Sequence, residues 1–467
     1  MSQPEEGEFV GSGSFRVDIS RAREKLSRFQ LADPSCYLLS WVRFAVAGGA
    51  SRIGIRSGWR RVEMRFDGRP LSRGQLARPY DCLFDEAGAA EVRDRHLAVG
   101  LLSAFRLSPS AVTLTSGCGP DRHTLRAEAP DRDSLSAGGD PGQDTVLRVE
   151  WPFRMPDGVS IERQLDYVRY SGCWLCAVPV MVDGAEAERY HDSWAMFSFS
   201  ANGVRGYLAP SPGSAESSLK IYVWSIYVCD IGVRLPWVQS SAQINCDRLQ
   251  LDASHGGVIR DAAFEEVVAE VSTQTERMLL EQCSLQKQGF PDFNRLLLGG
   301  IPPGYWERYF LESGLCAPVW MQELSRVRIL AAAPILGNRL RAGMERIQRV
   351  NREAYRTRWL REAALALRAS SGDGAGASLR KALWDAPLYL GTDGSPFSLN
   401  ELEARLLDRG RLPISGGPRT QASGRSVWCA SEKDRESLAA FFEGTALDPP
   451  IKPDELSAPR PRRHPPA

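Results

Sequence analysis

The stretch Leu97-Ala98-Val99-Gly100-Leu101-Leu102-Ser103-Ala104-Phe105 is an apolar run with a glycine near its centre and one hydroxyl side chain close behind it. This composition predicts the start of a buried helix. The free backbone N–H groups of a first helical turn bind anions without any charged side chain, and a neighbouring glycine lets the anion approach closely. An ordinary buried helix without a ligand is the alternative interpretation of the same residues.

The segments on either side of this stretch predict the elements that surround the helix. Leu38–Val46 is almost continuously apolar and is followed by two glycines and then by the alternating run Arg52-Ile53-Gly54-Ile55, which indicates a helix, a stop and a strand. A second strand, Trp59–Phe66, ends in Asp67-Gly68-Arg69-Pro70. Downstream, Thr145–Val149 is again typical of a strand. This order predicts an α+β domain in which helices cover one sheet.

These segments resemble, in the same order, the sequence boxes of the GHKL ATPase superfamily and of its heat-shock protein 90 (HtpG-type) chaperone family. Residues 97–105 are similar to F-G-V-G-F-Y-S-A-F, and residues 40–53 to E-L-V-x-N-S-x-D-A-G-A-T-R-I. Residues 66–70 resemble the adenine-binding turn D-x-G-x-G, and the strand from residue 145 resembles G-T-x-I-x-L. The resemblance implies a GHKL (Bergerat-type) α/β sandwich as the N-terminal domain, with ATP as its ligand. The nucleotide contacts that it implies are Asp67, Gly68, Gly100, Ser103 and Thr145.

The catalytic positions of the family hold other residues in this chain. Ser40 stands where the resemblance places the glutamate that polarises water, Phe44 at the magnesium-binding asparagine, and Ala47 at the following aspartate. Phe66 replaces the aspartate of the adenine turn, although a shift of one residue restores Asp67. Phenylalanine and alanine offer no lone pair to a hard cation, so we expect neither magnesium nor ATP hydrolysis and predict a pseudo-ATPase. Two alternatives stay open: ATP bound without turnover, and a pocket filled by Phe44 and Phe66.

Beyond residue 155, helical and strand-like runs are mixed, which predicts an α/β middle domain with a right-handed crossover over residues 156–290. Val233–Trp237 and Cys246–His255 resemble the segments L-P-x-Y-L and S-E-D-L-P-L-N-V-S-R of the chaperone's middle domain. His255 stands at the arginine that reaches the γ-phosphate in that family. Catalytic contacts therefore differ from the family in two domains, which favours a pseudo-enzyme.

Composition divides the whole chain into four parts. Residues 15–155 are expected to form the GHKL-like domain, with a long surface loop at 119–144, and residues 156–290 the middle domain. Residues 300–445 are predicted to be mainly helical and to end in a small α/β unit, and residues 446–467 form a proline-rich tail that we expect to be disordered. A helical stripe of apolar residues at 340–354 is a packing face and our candidate for self-association.

Charge and cysteine usage limit the classes of partner. Lysine plus arginine (58) and aspartate plus glutamate (57) leave a net charge of +1, so a nucleic acid or anionic membrane would need a local patch. The N-terminal residues include neither a basic nor an apolar segment, and no apolar run reaches the ~20 residues of a membrane span, so we expect a cytoplasmic protein. Cys173 and Cys176 form the one C-x-x-C and lack further ligands at suitable spacing, so no metal site is expected.

The sequence thus predicts a heat-shock protein 90-like chaperone or partner-binding module whose ATP site lacks catalytic groups. The expected partner is a client or partner protein, with no membrane and no nucleic acid, and a homodimer stays open. The alternatives are a non-catalytic interaction scaffold that binds no nucleotide, and a MutL-like DNA clamp, against which the neutral charge counts.

Overall fold

A computed structural model describes residues 31, 33–84, 92–139, 142–153, 156–189, 197–288, 356–369, 376–391, 395–415, 426–428, 432–442 and 447–448. Within these ranges the chain forms three sheets accompanied by helices, so the predicted α+β class is confirmed. No helix in the described ranges is both long enough and apolar enough to cross a lipid bilayer.

The first sheet consists of eight strands: β1 (Ile53–Gly58), β2 (Arg61–Phe66), β3 (Ala111–Ser116), β4 (His123–Ala129), β5 (Arg132–Ala137), β6 (Thr145–Glu150), β7 (Val180–Val182) and β8 (Ala185–Glu186). They lie in the order β5–β4–β3–β6–β2–β1–β7–β8. β1 and β7 run parallel, and the other neighbours run antiparallel. Side chains alternate along each strand, so Ile55 and Met64 are buried while Arg56 and Arg65 lie on the other face.

Four helices belong to this first unit: α1 (Tyr37–Ala47), α2 (Arg73–Ala77), α3 (Val92–Phe105) and α4 (Ile161–Tyr167). α1 and α3 contact each other along their length and share a hydrophobic core with the sheet. All residues from His96 to Ala104 are buried. A helix that is apolar and covered on every side lies inside a protein, and α3 is therefore the central helix of the unit.

The second sheet contains β9 (Phe197–Ala201), β10 (Val204–Pro210), β11 (Ser217–Val223), β12 (Ile226–Val233) and β13 (Ser240–Asn245), in the order β12–β11–β13–β10–β9. β11 and β13 are parallel. The tight turn between β11 and β12 consists of Trp224 and Ser225, both with positive φ, the conformation that two-residue hairpin turns require. Helix α5 (Ala262–Gln288) packs on this sheet and begins where the Asp261 carboxylate accepts a hydrogen bond from the Phe264 N–H.

The described C-terminal elements are a helix at 356–369, named α6 here, α7 (Ala377–Asp385), β14 (Pro387–Gly391), β15 (Pro396–Ser398), α8 (Leu399–Arg409), β16 (Leu412–Ser415), β17 (Val427–Trp428), α9 (Glu432–Phe441) and β18 (Leu447–Asp448). The strands lie in the order β15–β14–β17–β16–β18. A capping box of Ser398 and Glu401 starts α8, and Gly410 with φ +66° ends it. Helices and strands are thus mixed in the described part of this region.

Two boundaries differ from those predicted for the domains. β7 and β8 lie in the first sheet and α4 packs in the first core, so the boundary expected at 155/156 falls inside one packed unit. The second core contains described residues from Val204 on β10 to Phe442, and it therefore includes side chains of both the expected middle and C-terminal regions. The stripe at 340–354 lies outside the described residues.

The long surface loop predicted at 119–144 is a further difference. Most of it forms the hairpin of β4 and β5 at the edge of the first sheet. Nearly all of β5 is exposed, so its residues show no alternation of apolar and polar side chains. An edge strand of this kind has the composition of a loop although it is hydrogen-bonded as a strand.

Candidate functional site

The residues that the resemblance assigns to catalysis lie on the buried face of α1. Ser40 and Phe44 are buried, and Phe44 packs edge-to-face against Phe66 with 5.6 Å between ring centroids. The guanidinium carbon of Arg93 lies 5.4 Å from the centre of the Phe44 ring. Ala47 is half-buried in the last turn of the helix. Aromatic side chains thus occupy the space between α1 and the end of β2.

Gly100 lies in the interior of a helix and not at its start. α3 begins at Val92, so the N–H groups from Leu97 onward donate to carbonyls one turn earlier within the helix. This corrects the expectation that residues 97–105 begin a helix with free N–H groups. The indole of Trp41 covers Gly100 so closely that a Cβ on the glycine would lie 2.4 Å from two of its ring atoms. Gly100 therefore serves the packing of α1 on α3.

Asp67 and Gly68 hold the loop that follows α1. The Asp67 carboxylate accepts hydrogen bonds from the backbone N–H groups of Ser51 and Arg52, at 2.8 and 3.0 Å, and from the Ser51 hydroxyl. Burial works against the charge, but these hydrogen bonds outweigh it and lower the pKa of Asp67. Gly68 has φ +113°, and a Cβ there would lie 3.0 Å from backbone atoms of Gly48 and Ala50.

Thr145 and Ser103 complete the set of expected nucleotide contacts. The Thr145 hydroxyl shares a 2.8 Å hydrogen bond with the hydroxyl of Ser116, which in turn accepts from the Leu71 N–H at 2.9 Å. Ser103 is fully buried in α3, and its hydroxyl has no hydrogen-bond partner within the described chain; the same holds for Ser40. Gly100, Ser103 and Thr145 are thus buried in the packing of the first unit, whereas Asp67 is half-buried and Gly68 is exposed in the loop after β2.

A cavity of about 310 Å³ lies beside α2 and α3. It is lined by Leu71, Gly74, Gln75, Arg78, Pro79, Asp81, Cys82, Asp94 and Leu97. None of the five expected nucleotide contacts is among these residues. Asp94 accepts a 2.7 Å hydrogen bond from the Gln75 amide on one carboxylate oxygen and a 3.0 Å bond from Arg93 Nε on the other, so both oxygens are engaged.

His255 lies where the first and second units meet. The residue has φ +54°, and its ring packs edge-to-face on the ring of His96 of α3, with 5.7 Å between centroids. Beside it, the Ser254 carbonyl accepts a 2.7 Å hydrogen bond from the Leu31 N–H. The structure therefore brings His255 of the second unit to the central helix of the first.

Both histidines at this junction are neutral at pH 7. Burial, together with the charge of Arg43, lowers the pKa of His96 well below its ordinary value and that of His255 to about 4; Asp252 opposes the shift of His255. Neither ring nitrogen of His96 has a hydrogen-bond partner among the described residues, nor has Nδ1 of His255. The pair can carry no charge without a large desolvation cost.

Arg43 makes a further contact between the two units, and the sequence analysis did not predict it. Its buried guanidinium donates from Nε to the Val223 carbonyl at 3.2 Å and from one amino group to the Tyr227 carbonyl at 3.0 Å, on either side of the β11–β12 turn. Burial lowers the pKa of Arg43 to about 10. The sequence does contain an indication of this contact: Arg43 is the one charged residue in the apolar run at 38–46. A charged side chain on a buried helix face requires polar partners.

The described part of the chain has no group of three or more histidine, cysteine or acidic side chains that could hold a metal ion. Cys173 and Cys176 are both buried as free thiols, and burial raises the pKa of each. They pack as small apolar side chains in the first core.

Comparison with known proteins adds no relative to this description. No protein-family model matches the chain, and no curated protein matches it either.

Proposed function

We propose that this chain is a divergent relative of the heat-shock protein 90 family that acts as a non-catalytic scaffold for a partner protein and binds no nucleotide. The order of the sequence boxes supports the relationship. In the structure they fall on α1, β2, α3 and β6, elements of one unit that share a core. The second unit follows with His255 directed at the first, as the resemblance of Cys246–His255 implies.

We infer that no nucleotide binds from one observation: aromatic side chains fill the space around α1 and α3. The Trp41 indole fills the approach to Gly100, and the rings of Phe44 and Phe66 fill the end of β2. The phosphate site that the resemblance implies uses unpaired N–H groups at a helix start, whereas the N–H groups at 97–100 lie inside a helix that begins at Val92. These residues do not fit ATP.

The side-chain contacts between the two units support the role of scaffold. In nucleotide-driven clamps the γ-phosphate biases two arrangements of the domains. Here Arg43 bonds the second unit through two backbone carbonyls, and His96 packs directly on His255, so protein side chains occupy the contact region themselves. The geometry favours one arrangement that presents a constant surface to a partner.

A thermal-shift titration with ATP, ADP and a non-hydrolysable ATP analogue, with and without magnesium, tests the proposal. A ligand at a hundred times its Kd would add about 2.7 kcal/mol to the stability of the native state. We expect an unchanged melting temperature at millimolar nucleotide for both the native chain and Thr145→Val.

A magnesium-dependent rise that Thr145→Val removes would contradict the proposal and would favour an ATP-regulated clamp. A rise of the same size in both proteins would also contradict it, by showing a nucleotide site elsewhere in the chain.

A further inference from the structure

Two large aromatic side chains project from one end of the first sheet. Trp59, in the turn between β1 and β2, is 72% exposed, and Phe153, just after β6, is 76% exposed. Their rings meet edge-to-face at 5.3 Å, and the Arg60 guanidinium carbon lies 5.0 Å from the Trp59 ring and 5.7 Å from the Phe153 ring. We call Trp59, Arg60 and Phe153 the aromatic–arginine knob.

The knob contributes to neither hydrophobic core, but hydrogen bonds hold the backbone beneath it. Neither ring belongs to the first or second core. The backbone below them is fixed, because the Trp151 N–H donates to the Arg60 carbonyl at 2.9 Å and the buried Trp151 indole donates to the Leu107 carbonyl at 3.0 Å. Two exposed rings on a rigid base are not explained by the stability of the fold.

The arginines at the knob outnumber the acidic side chains that lie opposite them. Arg56, Arg60 and Arg61 form no ion pair within the described residues, although the whole chain has a net charge of only +1. The residue opposite Arg56 across the strands is Glu63, and its carboxylate is engaged by Arg148 at 2.8 Å. The residue opposite Arg61 is Glu150. The turn therefore carries a local excess of cations.

We propose that the aromatic–arginine knob docks the protein peripherally on the surface of an anionic lipid bilayer. Tryptophan and phenylalanine rings partition into the interfacial region of a bilayer, and guanidinium groups beside them pair with anionic headgroups. Apolar and cationic groups together supply the two signals that reversible membrane attachment needs. The side chains project from a turn and line no groove, a shape that suits a soft planar surface. The proposal is independent of the scaffold function and supplies the local patch that a neutral chain needs for an anionic surface.

Co-sedimentation of the full chain with lipid vesicles tests this docking. We expect binding to phosphatidylcholine vesicles that contain about 30 mol % phosphatidylserine, little binding to pure phosphatidylcholine, and loss of binding as salt rises to about 0.5 M. Trp59→Ser combined with Phe153→Ser, and separately Arg60→Glu, should each weaken binding by about tenfold or more. All three side chains lie outside the cores, so the melting temperature should stay unchanged.

Two control variants separate the knob from the rest of the surface. Arg126→Glu makes the same charge change at an exposed position of β4 in the same sheet, and Leu407→Ala removes another exposed apolar side chain, 88% exposed on α8. Both should bind vesicles as the native chain does. Absence of binding to the anionic vesicles at low salt, or equal losses in control and knob variants, would overturn the proposal. Binding to poly-glutamate without binding to vesicles would overturn it too and would assign the knob to an acidic protein segment.

Discussion

Gly100 and Trp41 are in close contact where α1 packs against α3. A methyl group at position 100 would meet the buried indole at 2.4 Å, and the indole is fully enclosed and cannot turn away. Gly100→Ala should therefore cost about 1–3 kcal/mol of unfolding free energy, although alanine favours helices more than glycine does. Urea denaturation followed by circular dichroism measures the change.

Gly74→Ala is the matched control for this substitution. Gly74 is also helical, but it is exposed, and a Cβ there would find only the Ser72 hydroxyl at 3.9 Å. We expect this variant to be as stable as the native chain or slightly more stable, by up to about 1 kcal/mol. Equal effects at positions 74 and 100 would show that Trp41 leaves room for a methyl group.

Single-residue chemistry could be predicted from the sequence, but contacts between elements could not. The absence of carboxylate and amide groups at Ser40 and Phe44 is visible in the sequence, because the side chains themselves lack those groups. The edge-to-face contact of Phe44 with Phe66 agrees with the alternative in which aromatic rings fill the pocket. The contact of the Trp41 indole with Gly100 depends on the angle and position at which α1 and α3 cross, and helical periodicity alone does not determine these.

At the scale of elements, α3 begins five residues before Leu97, so residues 97–105 lie in the interior of the helix and not at its start. Residues 92–96 extend the helix ahead of Leu97, and they include the polar sequence Arg93-Asp94-Arg95-His96, which gave no apolar signal. Arg93 and His96 are nevertheless buried, one beneath Phe44 and the other against the second unit. Tertiary contacts rather than composition determine where this helix starts.

The contact of α3 with the loop that contains His255 makes stability depend on pH. His96 and His255 have lower pKa values in the folded chain than the ordinary value near 6.5, so the unfolded chain binds more protons in acid. The two histidines cost no stability above about pH 6.5, and the free energy of unfolding decreases as the pH falls from there towards about 4, by up to about 1.4 kcal/mol per pH unit for each histidine. Urea denaturation between about pH 5 and 7.5 measures this slope.

Substitution of His255 should flatten that slope. Asparagine tolerates a positive φ and does not titrate, so His255→Asn should remove roughly half of the pH dependence. Asp33, Glu63 and Asp67 have lowered pKa values and lose their stabilising charge at lower pH, outside this window. His123→Asn, at a half-buried site on β4 away from the junction, is the matched control. Equal slopes in the native chain and His255→Asn would contradict the assignment.

At the scale of the whole molecule, two cores organise the described chain where composition predicted three domains. Ile226 of the second sheet belongs to the first core, which continues the contact that Arg43 makes with the β11–β12 turn. The change in composition near residue 155 does not coincide with a boundary between the packed units. The reason is that β7 pairs with β1, which lies more than a hundred residues earlier in the chain, and local sequence patterns do not encode such a pairing.

The extent of the second core predicts how the chain tolerates truncation. A chain ending at residue 300 lacks α6, whose buried Trp359 donates from its indole to the Gln239 carbonyl at 2.7 Å, and lacks Leu383 and Phe397 from the same core. Each such side chain stabilises the fold by about 1.5–3 kcal/mol, and their sum approaches the whole stability of a typical domain. The shortened chain should bind a hydrophobic dye and associate in light scattering, whereas a chain ending at residue 448 should match the full protein. The prediction would be contradicted if the chain ending at residue 300 were a monodisperse monomer that unfolds cooperatively. The residues up to 300 would then fold without the C-terminal region, and the stripe at 340–354 would stay a candidate for self-association.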